Sequence, residues 1–394
     1  MRSALVLSLA AAAAIAAPMP AEDLLPRQPE AKIIPGKYIV KLKTTAQGDV
    51  ASFVGRSAAS RGRAPTRTFE FGDFKGFAGY LSDEQKAELE KNPDVEYIEP
   101  DQTLPLAALT SQSGATYGLG KISHRSTAAS TTYVYDTSAG EGTCSYVVDT
   151  GIYTAHPDFG GRAVQGVNYV EAESNADLQG HGSHVAGTIG SNTYGVAKKT
   201  KLIAVKVCNQ AGGCDASDVV AGLTWLTRDR ATRGCPAGST ANLSLGSTQT
   251  SWQAVRDAVT TATSNGVFVA VAAGNSNINA ANTYPASAPN ACTVGSVDSA
   301  NARSSFSNYG AVVDVFAPGS AIVSTANTGS GARTLSGTSM ASPHIAGLGA
   351  YLLALEGSRS PVALCDRIKA LATTNAISGV PSGTANRLAY NGAA

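Results

Sequence analysis

From Cys144 to Phe316 the chain alternates between short apolar runs and stretches with helical spacing. The apolar runs are Ser145 to Val148, Lys201 to Val207, Ala241 to Leu245, Val267 to Ala273 and Ala311 to Phe316. Between them, Asp215 to about Thr232 and Ser251 to about Ser264 repeat Val, Leu and Ala at helical intervals. Each of these stretches opens on a capping residue, Asp215 or Ser251. Alternation of this kind implies parallel strands joined by crossover helices, an α/β fold. Such sheets carry their chemistry at the carboxyl ends of the strands. Asp149, Gly246 and Asn275 fall just after apolar runs, where that rule places functional groups.

The region before this pattern reads as a separate unit. Lys37 to Lys43 alternates polar and apolar residues, as a half-buried strand does, and Phe77 to Leu81 repeats the pattern. Ser82-Asp83-Glu84-Gln85 is a capping box that opens a charged helix ending before Asn92-Pro93, and Val95 to Glu99 is a further strand. This small α+β unit, residues 18–109, has no cysteine. Ahead of it, residues 1–17 carry Arg2, a largely apolar run and then small residues, the pattern of a secretory signal peptide. A membrane anchor is the alternative, but the run is too short to span comfortably and no second apolar segment follows. A secreted, extracellular protein is therefore expected. A chain of 394 residues, 43% hydrophobic and with net charge +1, suits a large domain beside a small one and argues against nucleic acid as a partner.

Six cysteines suit an oxidising compartment, and sequence alone allows about 15 pairings. All of them follow Tyr117: Cys144, Cys208, Cys214, Cys235, Cys292 and Cys365.

Three short motifs carry chemistry. Gly337-Thr338-Ser339-Met340-Ala341-Ser342-Pro343-His344 puts a hydroxyl at a helix start, where unpaired backbone N–H groups stabilise developing negative charge. Val147-Val148-Asp149-Thr150-Gly151 offers an acid at a strand end, and Gly180-His181-Gly182-Ser183-His184 offers a base in a glycine turn. A serine becomes nucleophilic when a base takes its proton, a histidine titrates near neutrality, and a carboxylate fixes its tautomer. The requirement for neutral His181 predicts loss of activity below about pH 6–7. His184 is assigned to packing rather than to metal binding, since no His-Glu-x-x-His is present. His344 is expected against the sheet and His156 in a structural loop. Asn242-Leu243-Ser244 matches a glycosylation acceptor, but it lies on a strand beside the cleft, so the match is read as accidental.

Together these motifs, in the order Asp149, His181, Ser339, closely resemble the subtilisin-like serine proteases, specifically the fungal proteinase K group. The resemblance covers about Tyr117 to Asn391. It implies a three-layer fold with a mostly parallel central sheet, and it makes residues 110–394 the peptidase domain. The unit at 18–109 resembles the inhibitory propeptide of secreted subtilases, which assists folding and is then cut away, here between about Ala107 and Ser111. A permanent accessory domain is the other reading of that unit. The resemblance also implies that Asn275 forms an oxyanion hole with the Ser339 N–H. Gly212 and Gly213 on one side and Ser244, Leu245 and Gly246 on the other would clamp an extended peptide. Ala272, Ala273 and Gly274 would wall a roomy specificity pocket that favours large apolar or aromatic residues. The family often has a glycine run after Ser-Leu-Gly, and here Ser247-Thr248-Gln249-Thr250 stands instead.

By the same resemblance Cys144 pairs with Cys235 and Cys292 with Cys365, which leaves Cys208 and Cys214 for each other. Family members often carry a free cysteine where Val185 stands, so weak thiol-reagent sensitivity is expected. The resemblance implies one structural calcium, held by the Asp314 carboxylate and the carbonyls of Pro289 and Ala291; a second family site needs a carboxylate near Ala376, which is absent. No cofactor for catalysis is expected. The expected partners are polypeptide substrates and the chain's own propeptide, with no membrane partner, and a monomer is expected. Two rival readings fit the sequence less well. An esterase of the α/β-hydrolase type wants Gly-x-Ser-x-Gly and the order Ser, Asp, His, neither of which is present. An inert binding protein would have lost a catalytic position, and none is lost.

Overall fold

The computed structural model describes residues 32–56, 64–103, 109–125, 130–248 and 252–393. The expected signal segment, Gln249 to Ser251 and the linker residues 104–108 lie outside the described residues. One compact unit lies within Gln28–Ala108, and a larger one runs from Leu109 to Ala394.

The small unit is built from β1 (Lys32–Leu42), α1 (Val50–Arg56), β2 (Arg67–Phe71), β3 (Phe74–Tyr80), α2 (Asp83–Leu89) and β4 (Val95–Thr103). Its antiparallel sheet has the order β2-β3-β1-β4. Val40, Leu42, Phe53, Phe77 and Leu89 form its core. The capping box at Ser82 is complete: Gln85 N donates to Ser82 Oγ, and Ser82 N donates to Gln85 Oε1 at 2.8 Å. Strand β2 and helix α1 escaped the sequence reading. Most of β2 is exposed, so it lacks the alternation that marks a half-buried strand.

The larger unit begins with β5 (Leu109–Ser113), α3 (Tyr117–Ser123) and β6 (Thr132–Asp136); β5 and β6 pair antiparallel. There follow β7 (Thr143–Asp149), β8 (Ala163–Asn168), α4 (His181–Gly190), β9 (Lys201–Lys206), α5 (Ala216–Asp229), β10 (Gly238–Leu243), α6 (Gln253–Ser264), β11 (Val267–Ala272), β12 (Cys292–Val297) and β13 (Val315–Pro318). A hairpin, β14 (Ile322–Thr325) and β15 (Ala332–Leu335), precedes α7 (Thr338–Glu356), α8 (Pro361–Leu371), β16 (Thr373–Thr374) and β17 (Arg387–Leu388).

The central sheet has the order β16-β17-β13-β12-β11-β10-β7-β9-β8, parallel from β17 through β8, with β16 antiparallel at the edge. Side chains alternate across it, as strand geometry requires. Val147, Leu202 and Ala204 point into one core with α4, α7 and α8, while Tyr146, Val148, Ile203 and Val205 point into the other with α5 and α6. Helices on both faces make three layers. Strand β7 starts the series, β8 and β9 lie on one side of it, and β10 to β13 lie on the other. The order therefore reverses between β7 and β10, and ligands bind α/β sheets at the carboxyl ends of such a pair.

Some boundaries moved. The run Ala311 to Phe316 is a strand only from Val315; Val313 turns back on Gly310 and packs in a satellite cluster with Ile377 and Leu388, so its apolarity reports burial rather than pairing. Strand β12 was missed because Thr293, Gly295 and Ser296 dilute its apolar signal. Asp215 occupies the cap position of α5, yet its side chain makes no cap hydrogen bond, and α6 starts at Gln253.

Cys144–Cys235 and Cys292–Cys365, the pairs the resemblance implied, and Cys208–Cys214, the pair left over, are disulfide-bonded, with sequence separations of 91, 73 and 6. On the chain-entropy view each long link stabilises by roughly 4–5 kcal/mol and the short one by roughly 2 kcal/mol. The described residues include no free cysteine, and Val185 is fully buried in α4.

Candidate active site

Asp149 is the last residue of β7 and is buried. His181 is the first residue of α4. Its Nδ1 lies 2.8 and 2.9 Å from the two oxygens of the Asp149 carboxylate. A carboxylate only accepts, so Nδ1 carries the proton and the Nε2 lone pair is left free for base chemistry. Burial pushes the His181 pKa down, but the Asp149 charge and hydrogen bond outweigh it and the net direction is up; Asp177 adds to the rise and Arg333 opposes it.

The glycines around this pair are steric requirements. A Cβ at Gly182 would sit 2.1 Å from the Gly151 carbonyl oxygen, closing the gap through which helix and acid turn approach. Gly180 caps α4 at φ 95°, and a Cβ there would sit 2.2 Å from Arg333 Nη1.

Ser339 stands in the first turn of α7, where backbone N–H groups lack intrahelical acceptors. It lines the same cavity, of about 590 Å³, as Asp149, His181 and Asn275. Its hydroxyl donates to the Ser244 carbonyl at 3.1 Å. Asp149 and His181 are thus in hydrogen-bonded contact, while the Ser339 hydroxyl is turned to Ser244. Free active sites often have such loose contacts, which tighten on substrate binding.

Asn275 is oriented from behind. Its Oδ1 accepts from Thr338 N and from Thr338 Oγ1, both at 2.8 Å, which leaves Nδ2 as the outward donor. A Cβ built on Gly337 would lie 3.5 Å from both Asn275 Nδ2 and Ser339 N, so the two donors face one small space that glycine keeps open.

Of the expected peptide-binding residues, Gly212, Ser244, Leu245, Gly246, Ala272 and Gly274 line the cavity. Ala273 does not. Alternation from Ala272 turns it into a buried cluster with Ala280 and Ala286. Gly213 is also absent from the lining; it closes the loop behind Gly212, where its carbonyl accepts from Asn209 N at 2.8 Å. Ser247 exchanges two backbone hydrogen bonds of 2.7 Å with Tyr284, so a second strand-like contact stands where the family's glycine run would be.

His156, His184 and His344 are structural, as the sequence reading has them. His184 donates through Nε2 to the Ile322 carbonyl, and burial lowers its pKa to about 4. His344 is fully buried, donates to the Met340 carbonyl and is also held at about 4 by burial. His156 caps the short turn at Pro157 and donates to the Gly331 carbonyl at 2.9 Å. Asn242 is fully buried and bonded to Ser244 and Ser342, so no glycan can reach it.

Asp314 accepts from Thr293 N at 2.9 Å and lies 3.5 Å from Lys369 Nζ; burial raises its pKa. Ala291 and the exposed Pro289 precede the same strand. The donor set the resemblance implies, one carboxylate and two backbone carbonyls, is of the kind a hard cation takes, and Lys369 is the local competitor for the carboxylate.

Sequence reasoning did not find Thr338, which orients Asn275. It also missed Asp177, whose signal was an acid four residues before the histidine, and Lys206, whose only signal was a charge closing an apolar strand.

The fold and this cleft define a hydrolase-like α/β protein, and comparison with known proteins narrows the class. Residues 140–392 match the subtilase family, and residues 37–107 match the peptidase inhibitor I9 family. The chain is 50% identical to the subtilisin-like serine protease AsES of Sarocladium strictum, covering all of this chain and 99% of that one. It is 50% identical to the cuticle-degrading protease of Metarhizium anisopliae, covering 92% and 91% of the two chains. A crystal structure of a cold adapted subtilisin-like serine proteinase superposes with a TM-score of 0.67 at 41% identity, covering 71% of this chain and 99% of that one. The chain belongs to the subtilase family: it is a subtilisin-like serine endopeptidase with an I9-type propeptide domain ahead of the peptidase domain.

Proposed function

We propose that Ser339 is the nucleophile, His181 the general base and Asp149 its orienting acid, and that hydrolysis runs through an acyl-enzyme. The observation that carries this is the Asp149–His181 contact, which leaves Nε2 basic within the cavity that holds Ser339. Ser339 Oγ rotates from Ser244 toward His181, loses its proton to Nε2 and attacks the scissile carbonyl carbon. The resulting oxyanion is received by Asn275 Nδ2 and Ser339 N–H. Collapse breaks the C–N bond, and the imidazolium returns its proton to the leaving amine. Water, activated by the same histidine, then releases the acyl group.

An extended peptide pairs with the Gly212 and Ser244–Gly246 edges. Ala272, Gly274 and Leu245 leave room for a large apolar or aromatic side chain before the scissile bond. The chain is secreted as a preproenzyme; among the described residues no helix is long and apolar enough to cross a membrane. The maturation cut falls between Ala107 and Ser111, and because Leu109 onward is paired in β5, the start of that interval is favoured. Asp314 and the carbonyls of Pro289 and Ala291 hold a calcium ion that supplies stability and no reaction chemistry.

The test is Ser339→Ala against wild type. Wild type takes up a fluorophosphonate at Ser339 and loses its propeptide; the variant folds, takes up no label and keeps the propeptide joined. Peptides released from a mixed proteome by wild type end at large apolar or aromatic residues. Full turnover and processing in Ser339→Ala would remove the assignment.

A further inference from the structure

The acid turn and the base helix are joined by a buried network that the chemistry above does not use. Asp177 is 4% exposed. Its Oδ1 accepts from Gly180 N at 2.7 Å, Thr150 Oγ1 at 2.8 Å and Gln179 N at 3.2 Å. Its Oδ2 accepts from Ser183 N at 2.8 Å and Ser183 Oγ at 2.7 Å. Thr150, next to the catalytic acid, also accepts from Gly182 N at 2.9 Å, and its own N–H donates to Asp149 Oδ1 at 2.8 Å. Lys206, 1% exposed at the end of β9, donates from Nζ to the carbonyls of Thr150 at 2.9 Å and Ala176 at 3.1 Å. The residues flanking His181 on both sides are thus tied through the Asp177 carboxylate and the Thr150 hydroxyl to the residue that follows Asp149, and the Lys206 ammonium ties that residue to Ala176.

We propose that Asp177 is a positioning residue which, with Thr150 and Lys206, sets the distance between Asp149 and His181, and whose negative charge helps set the acid limit of activity. This rests on the assignment of Asp149 and His181 as acid and base. The geometric part follows from where the bonds end. Gly180, Gly182 and Ser183 bracket His181, so their backbone cannot shift without breaking bonds to Asp177 or Thr150. Five donors on one buried carboxylate also exclude a neutral substitute, since an amide NH₂ in place of Oδ2 would face the Ser183 donors. The electrostatic part follows from where the charges sit: the Asp177 carboxylate is bonded to the N–H groups of Gly180 and Ser183 on the two sides of His181 and the Asp149 carboxylate to Nδ1, so both favour the imidazolium, while the Arg333 charge opposes it and His184 on the same helix is held neutral. Loss of the Asp177 charge removes one of the two favourable charges.

The test uses the full secreted enzyme, with active sites counted by fluorophosphonate titration. Asp177→Asn is expected to lower kcat per active site by about tenfold or more while KM changes little, because a small misplacement of the base costs rate rather than binding. Its acid limb in kcat/KM is expected to move to lower pH by several tenths of a unit. Thr150→Val, which cuts the tie but keeps the charge, is expected to lower kcat without moving that limb, and Thr150→Ser to restore kcat. An Asp177→Asn limb that coincides with wild type overturns the electrostatic claim, and an unchanged kcat in Thr150→Val overturns the positioning claim. If Asp177→Asn fails to fold, the Thr150 pair still decides positioning and Asp177→Glu, which keeps the charge, must keep the wild-type limb. Loss of fluorophosphonate labelling in wild type would instead strike at the triad itself.

Discussion

Ser244 and Ser339 exchange two hydrogen bonds: Ser244 Oγ donates to the Ser339 carbonyl at 2.6 Å, and Ser339 Oγ donates to the Ser244 carbonyl at 3.1 Å. The first bond exists because Pro343, four residues on in α7, has no N–H to offer that carbonyl. A proline inside the helix thus frees the Ser339 carbonyl, and the Ser244 hydroxyl bonds to it. Ser244→Ala leaves the carbonyl without its side-chain donor and is expected to cost about 1–3 kcal/mol. Urea unfolding of the inhibited protein reads this, and a variant as stable as wild type would count against it.

Asn275→Ala removes the side-chain donor to the oxyanion while leaving the Ser339 N–H. A fall in kcat of about 100- to 1000-fold with little change in KM is expected. Steady-state kinetics on a peptide substrate decide it. A change confined to KM would assign Asn275 to binding instead.

Activity should disappear on acidification at a pH above the ordinary histidine value of 6.5, because the net shift of His181 is upward. The base works only when neutral, so the active fraction falls as pH drops through that raised value. The acid limb of kcat/KM measures it in the free enzyme. A limb centred well below 6.5 would contradict the contact with Asp149.

His184 and His344 make the opposite prediction for stability. Both are held neutral at about 4 in the fold against an ordinary 6.5. Their folded values are depressed, so the unfolded chain binds more protons between those limits and stability falls as pH drops from 6.5 toward 4. The loss approaches about 3 kcal/mol per histidine. Urea midpoints of inhibited enzyme at several pH values test this. His344→Gln should flatten the dependence, and an unchanged slope would argue against it.

Chelation should lower the thermal midpoint of the inhibited enzyme, and Asp314→Asn should abolish the response to calcium. Lys369→Met should strengthen the calcium response by removing the competing ammonium. Calorimetry with and without EDTA is the measurement, and coincident midpoints for wild type would remove calcium from the reading.

The sequence by itself determined the alternation that builds the parallel sheet and the placing of Asp149 at a strand end, His181 in a glycine turn and Ser339 at a helix start, since these are local signals. It also gave the capping box at Ser82. Only the tertiary structure decided that Ala273 leaves the cleft, that Val312 and Val313 lie outside β13, and that Ser339 rests on Ser244. It alone showed Asp177 and Lys206 bonded beside Asp149 and His181, and Thr338 bonded to Asn275. The physical reason is range. Periodicity and capping act between neighbours a few residues apart, whereas the Lys206 to Thr150 and Thr338 to Asn275 bonds join residues 56 and 63 positions apart, which meet only once the sheet has closed.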